Sequence, residues 1–121
     1  MIGYSPRAVD EIFDSAVHPS GDLTGVFEHD GSAGYFYLYE TRAEETHKVI
    51  ADMRVVAGPA DFSQSDVAIR WSRDGSVVGL FIRGVLWAAF EGATRQRHGG
   101  SYRPGLTPSI PPDIVSAFDD D

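Results

Sequence analysis

Apolar and polar residues alternate along most of the chain, and that alternation predicts strands. In Gly34–Glu40 the period of two puts Tyr35, Tyr37 and Tyr39 on one face and Phe36 and Leu38 on the other. Residues 25–29 form a short apolar run, and Asp30-Gly31-Ser32-Ala33 supplies the turn after it. Between 47 and 57, Val49, Ala51, Met53 and Val55 fall on one side. Lys48, Asp52 and Arg54 fall on the other, with Ile50 and Val56 interrupting. The β-branched residues favour a strand over a helix, and Gly58-Pro59 ends it.

Three more alternating segments follow. Val67, Ile69 and Trp71 oppose Ala68, Arg70 and Ser72. Val78, Leu80 and Ile82 oppose Val77 and Phe81. Leu86, Ala88 and Phe90 oppose Val85, Trp87 and Ala89. Asp74-Gly75 and Arg83-Gly84 read as the tight turns that join them. The last two segments are apolar on both faces, so they read as mid-sheet strands covered on both sides. Trp71, Leu80, Ile82 and Phe90 are the expected core. Residues 7–17 fit either a helical stripe of Val9, Ile12, Phe13 and Ala16 or an edge strand. A short terminal helix starts near Pro112, with Ile114, Val115 and Phe118 as its apolar stripe. The pattern implies a mainly β fold on the α+β border: an antiparallel meander of five or six strands with one or two short helices.

Periodicity stops at Gly92. The organisation expected is a single β-rich domain over 1–91, a Gly/Pro/Arg-rich loop or tether over 92–111, and a short helix with an acidic terminus over 112–121. At 121 residues and 42% apolar composition the chain has room for one domain and its core. It has no cysteine, which excludes disulfides, Cys-based zinc sites and thiol catalysis. Its apolar runs fall far short of the roughly 20 residues a membrane span needs. Residues 1–13 show neither a basic region nor an apolar core of a secretory signal, so a soluble, cytoplasmic protein without membrane partners is expected.

The net charge is -8, and it is unevenly spread. Residues 1–66 carry 12 acids and 4 bases, residues 67–112 carry 2 acids and 6 bases, and residues 113–121 carry 4 acids. The acidic half reads either as a solvated surface or as a face that steers a basic partner. A nucleic-acid partner is not expected, because phosphate contacts need clustered Lys and Arg and the group Arg95, Arg97, His98, Arg103 is sparse.

Catalytic chemistry has little to stand on. His18, His29, His47 and His98 have no metal-ligand spacing, and no HExxH, G-x-S-x-G or phosphate-cradling loop occurs. No metal, no cofactor and no catalytic residue is therefore expected. Glu28, Asp30, Glu40, Glu44 and Glu45 sit around polar turns and read as solvated rather than as an acid–base pair. The row Tyr35, Tyr37, Tyr39 reads as core or as an amphipathic contact surface. In the second reading Glu28, Asp30 and Glu40 form its rim, and these six residues are the candidate partner-binding site.

Two resemblances follow from these residues. Trp71-Ser72-Arg73-Asp74-Gly75 looks like the W-S-x-D-G turn of a β-propeller blade, but a propeller repeats it and this chain has one copy. More specifically, Val26–Tyr37 resembles the V-F-E-D-D-G-x-x-G-Y-F-Y segment of a small bacterial family of unknown function, with His29 in place of the acidic residue. Ile69–Gly84 matches that family's I-x-W-S-x-D-G-x-x-V-x-L-x-I-x-G, and Ala88-Ala89-Phe90-Glu91 matches its terminal A-x-F-acid element loosely. The resemblance spans about 25–91 and leaves the Arg/Gly/Pro tail outside it. It implies likeness to small acidic single-domain proteins encoded beside toxins as immunity factors, with no catalytic residues to carry over. The expected function is a non-enzymatic protein-binding domain, an immunity protein occluding a basic bacterial toxin, as a monomer or weak homodimer. A structural or accessory interaction module is the alternative, and a small hydrolase-like enzyme using carboxylates the third.

Overall fold

Short turns return the chain on itself, so each alternating segment pairs antiparallel with its sequence neighbour. The computed structural model describes residues 11–41 and 48–119. In it β1 (Ile12–Val17), β2 (Leu23–His29), β3 (Gly34–Glu40) and β4 (Lys48–Val56) form a first four-stranded sheet in that order. β5 (Val67–Trp71), β6 (Val77–Ile82), β7 (Val85–Glu91) and β8 (Arg97–Gly99) form a second. The described strands number eight rather than five or six. The edge-strand reading of 7–17 supplies β1, and three-residue β8 is too short to show a period. Val9, Glu44, Glu45 and His47 lie outside the described residues.

One meander splits into two sheets because each has an apolar face to bury against the other. Phe27, Phe36 and Leu38 of the first sheet meet Val78, Leu80, Ile82 and Phe90 of the second in a shared core. The Phe36 and Phe90 rings lie 4.9 Å apart across the interface. Of the expected core residues, Leu80, Ile82 and Phe90 are buried, whereas Trp71 is half-buried. Its indole meets the His18 ring edge-on at 4.7 Å and donates from Nε1 to the Ala16 carbonyl at 2.9 Å.

Register shifts correct the simple alternation in two strands. In β4 the pairing skips Ile50 and Val55. The skip at Ile50 moves Val49 to the side of Asp52 and Arg54, opposite Tyr39, and the skip at Val55 lets adjacent Val55 and Val56 both be buried. In β7 the pairing skips Trp87. Trp87 therefore joins Ala88 and Phe90 in the inter-sheet core, while Leu86 and Ala89 turn outward. Bulges of this kind add one residue and reset the pleat beyond it.

The outward face of the second sheet is covered by the chain's end. α1 (Pro112–Ser116) brings Ile114, and Phe118 just beyond it, onto Val77, Phe81, Leu86 and Ala89. Val115, expected in that stripe, is exposed. Phe118 meets Phe81 edge-on at 5.2 Å, and the Arg70 guanidinium lies 5.0 Å over Phe81. This third layer is why β6 is buried on both faces. No helix among the described residues is long and apolar enough to cross a membrane.

Both outer strands of the first sheet have backbone groups engaged from elsewhere. On β1, Gln64 accepts from the Phe13 N–H at 3.1 Å and donates to the Phe13 carbonyl at 2.7 Å, as a paired strand would. On β4, Arg97 donates to the Asp52 carbonyl at 3.1 Å, and the Tyr102 N–H to the Val55 carbonyl at 2.7 Å. Free strand edges template association, and these contacts engage part of each. Tyr102 lies within 92–111, where the Gly/Pro-rich pattern gives no sign of a docked side chain. Its ring meets Phe62 at 5.2 Å and Trp87 at 4.8 Å, and its hydroxyl donates to Asp61 Oδ1 at 2.7 Å.

Candidate binding face

The pleat sends Tyr35, Tyr37 and Tyr39 to the side of the first sheet that faces away from the core, opposite Phe36 and Leu38. Cross-strand register then builds three rows. Phe13, Glu28, Tyr35 and Arg54 form the first; Ser15, Val26, Tyr37 and Asp52 the second; Val17, Thr24, Tyr39 and Val49 the third. Phe13 is 55% exposed, Val17 56%, Val49 48% and Tyr35 36%. These are four of the seven large apolar or aromatic side chains exposed among the described residues, and all four share this face.

Tyr37 sits at the middle of the face, half-buried, and donates from its hydroxyl to Glu28 Oε2 at 3.0 Å. Burial, with Glu28 accepting that bond, pushes the phenol's pKa up to about 12, and the negative charge of Asp52 opposite adds to the shift. The phenol therefore stays neutral at any physiological pH and holds the Glu28 carboxylate in place. Thr24 and Thr41 pair through their hydroxyls at 2.6 Å near the third row.

The six candidate residues are not all brought together. Glu28 and the three tyrosines share the face. Asp30 lies at the β2–β3 turn, where its Oδ1 accepts from the Ser32 N–H at 2.9 Å, the Ser32 hydroxyl at 3.0 Å and the Ala33 N–H at 3.0 Å. Those bonds, the Ser32 and Ala33 backbone N–H groups first, hold its carboxyl below the usual range. Asp74 plays the same part in the β5–β6 turn, accepting from Ser72, Ser76 and the Ser76 N–H. Both Asp-Gly pairs are thus turn chemistry, and Gly31 and Gly75 take the positive φ each turn requires. Glu40 ends β3 on the parity of Phe36 and Leu38, paired with Leu23, and does not share the tyrosine face. It lies about 17 Å along the strand from Glu28, so these carboxylates do not converge on one reacting atom.

Phe13, Val17, Val49, Asp52 and Arg54 are members of the face that the sequence pattern did not supply. Phe13 and Val17 alternate with Ile12 and Ala16, which was the available signal. Val49 was hidden by the bulge at Ile50.

The described histidines have structural work. His29 is 2% exposed; its Nδ1 accepts from the Gly31 N–H at 3.0 Å, so Nε2 carries the proton and donates to the Gly58 carbonyl at 2.8 Å. His18 bridges Ser20 and the Gly75 carbonyl, and His98 pairs with Glu91 at 2.8 Å. Among the described residues no three His, Asp or Glu side chains group so as to hold a metal ion.

The model of a bacterial protein family, described as an uncharacterized protein conserved in bacteria (DUF2251), matches residues 8–108. The chain belongs to that family. The match runs past the 25–91 core of the motif resemblance and takes in most of the Arg/Gly/Pro segment, so DUF2251 includes β1, β8 and Tyr102 as well as the two Asp-Gly hairpins. No curated protein and no solved structure matches the chain.

Proposed function

We propose that the chain is a non-enzymatic protein-binding domain whose tyrosine face covers a basic surface of its partner, in the manner of an immunity protein that neutralises a bacterial toxin by occlusion. The observation that carries this reading is the gathering of exposed Phe13, Val17, Tyr35 and Val49 around the Tyr37–Glu28 pair on one face. Soluble domains rarely concentrate exposed apolar side chains on one patch without a use for it. Tyrosines supply contact area with little rotamer entropy to lose. Glu28 and Asp52 on the face and Asp30 at the β2–β3 turn outnumber Arg54, so the approach to the face is negative. A negative approach speeds encounter with a basic partner.

Size sets a condition on the proposal. Twelve residues on one face of a sheet cover about 400 Å2 from strand spacing and rise, half of the roughly 800 Å2 a standard interface takes per partner. The contact would extend to the rim, over the Asp30 turn at one end and Thr41 at the other. The partly engaged edges of the first sheet favour use of its face over strand-to-strand pairing, which is the route an accessory module would take.

The test is to express the open reading frames flanking this gene singly and with the chain. The proposal expects one of them to arrest growth alone and to be tolerated with the chain present. Tyr37→Ala should then speed dissociation of the purified pair by about tenfold or more, equivalent to about 1.4 kcal/mol. Glu28→Lys should slow association and flatten its salt dependence. Absence of a toxic neighbour removes the immunity reading. Unchanged binding by folded Tyr37→Ala and Glu28→Lys variants removes the face.

A further inference from the structure

A second place, away from the tyrosine face, combines a cleft with unspent polar groups. Between residues 99 and 109 the loop borders an open cleft of about 420 Å3, lined by Trp87, Ser101, Arg103, Leu106, Thr107 and Ser109 among others. That volume lies in the range of small-molecule sites. Residues 92–112 carry three arginines and no carboxylate, in a chain of net charge -8. Arg97 bonds the Asp52 carbonyl. The Arg103 guanidinium and the hydroxyls of Ser101, Thr107 and Ser109 have no side-chain partner among the described residues.

The loop is held in an unusual backbone. Gly99, Gly100 and Ser101 have φ of 78°, 105° and 60°, three successive residues in the left-handed range. A side chain at Gly99 would sit 2.4 Å from the Trp87 carbonyl, so the chain passes close there and only glycine fits. Ser101 has a side chain and adopts this conformation at a steric cost, and backbone strain of this kind concentrates at functional sites. Two anchors fix it: the Gly100 N–H donates to the Trp87 carbonyl at 2.9 Å, and Tyr102 is docked between Phe62 and Trp87.

We infer that this cleft binds a small organic anion, with its phosphate or carboxylate on Arg103 and the loop hydroxyls and its apolar or aromatic body against Leu106 and Trp87. A guanidinium presents a planar fork matched to such oxyanions. The hydroxyls of Ser101, Thr107 and Ser109 on the same lining would donate to that group as well. Leu106 is 58% exposed, and an apolar ligand body would cover it. A fixed loop loses little freedom on binding, which favours a ligand with few contacts.

The experiment is a titration of the 15N-labelled full chain followed by amide and indole shifts, with phenyl phosphate, benzoate, inorganic phosphate and phenol as separate probes. The inference expects saturable shifts at Trp87, Ser101 and the 106–109 amides. Phenyl phosphate or benzoate should bind at least tenfold more tightly than inorganic phosphate or phenol, and which of the two is tighter identifies the oxyanion. Arg103→Gln should weaken binding tenfold or more with the rest of the spectrum unchanged, and Leu106→Ser should remove the advantage of the aromatic probes over inorganic phosphate. Shifts scattered over the surface, no saturation by 10-millimolar-order probe, or equal binding by Arg103→Gln would overturn it. Loss of the tyrosine-face activity leaves these readouts untouched, so the two proposals fail separately.

Discussion

Replacing Tyr102 tests whether residues 92–111 are fastened to the sandwich or merely trail from it. In Tyr102→Ala two edge-on aromatic contacts disappear, with Phe62 at 5.2 Å and Trp87 at 4.8 Å. Such pairs contribute about 0.5–1.5 kcal/mol each. The hydroxyl's bond to Asp61 at 2.7 Å is also lost, on a half-exposed carboxylate already paired with Arg83 at 3.6 Å. That bond contributes about 1 kcal/mol. With the apolar area of a half-buried ring, the loss comes to about 4 kcal/mol, inside the range for aromatic truncation. At roughly 2.1 cal/mol/K of unfolding entropy per residue over 121 residues, that lowers Tm by about 15 °C. Tyr102→Phe keeps the ring and loses only the bond, so its Tm should fall by about 4 °C. Both are measured by thermal and urea unfolding. Limited proteolysis adds a local readout, because trypsin should reach Arg95 and Arg97 faster in Tyr102→Ala than in the parent. A Tyr102→Ala protein within 1 kcal/mol of the parent, with unchanged cleavage, would refute the anchor and the fixed-loop argument built on it.

Three further outcomes follow from local geometry. Gly79→Ala places a Cβ 2.5 Å from Leu86 Cδ1 and 2.8 Å from Phe118 Cζ, so the terminal layer must shift; denaturant unfolding should show a loss of about 1–3 kcal/mol. Gln64→Ala leaves the Phe13 N–H and carbonyl to water, at a cost of about 1 kcal/mol. It also bares the β1 edge, so light scattering should show mass rising with concentration; a concentration-independent mass would mean the clamp does not guard the edge. Tyr37 and Tyr102 both have phenol pKa values raised to about 12, from an ordinary 10. Between those values the unfolded chain loses protons that the folded chain keeps, so stability falls as pH rises from about 10 to 12. Tyr37→Phe should make that alkaline fall shallower in urea titrations at fixed pH, and an unchanged slope would show that Tyr37 ionises as it does in the unfolded chain.

What could be read from the sequence, and what could not, divides along a physical line. Period-two patterning depends on neighbours in the chain, so it located β2 to β7 and put Phe36 and Leu38 opposite the tyrosines before any pairing was known. Asp30-Gly31 and Asp74-Gly75 are equally local, since an Asp side chain caps its own turn, and both hairpins follow from them. Bulges depend on the partner strand. Nothing in Val49-Ile50-Ala51 says that the pleat resets at Ile50, so simple alternation groups Val49, which completes the third row of the tyrosine face, with Ala51, Met53 and Val55. The same cause misplaced Trp87, whose true neighbour is Tyr102, 15 residues on along the chain and beyond the end of every visible period. Coverage of a face is less local still. The tyrosine row and the row of Val77, Phe81 and Leu86 are both aromatic and apolar; the second is covered because Ile114 and Phe118 return to it from the chain's end. The first keeps Phe13, Val17, Tyr35 and Val49 exposed, with Tyr37 holding Glu28 at its centre. Periodicity identifies an apolar face; whether that face is core or contact is decided by which distant segment returns to cover it. For that reason Tyr37→Ala is the informative substitution: on a covered face it would act mainly on folding, whereas on this half-buried, outward face its larger effect should be on how fast a bound partner leaves.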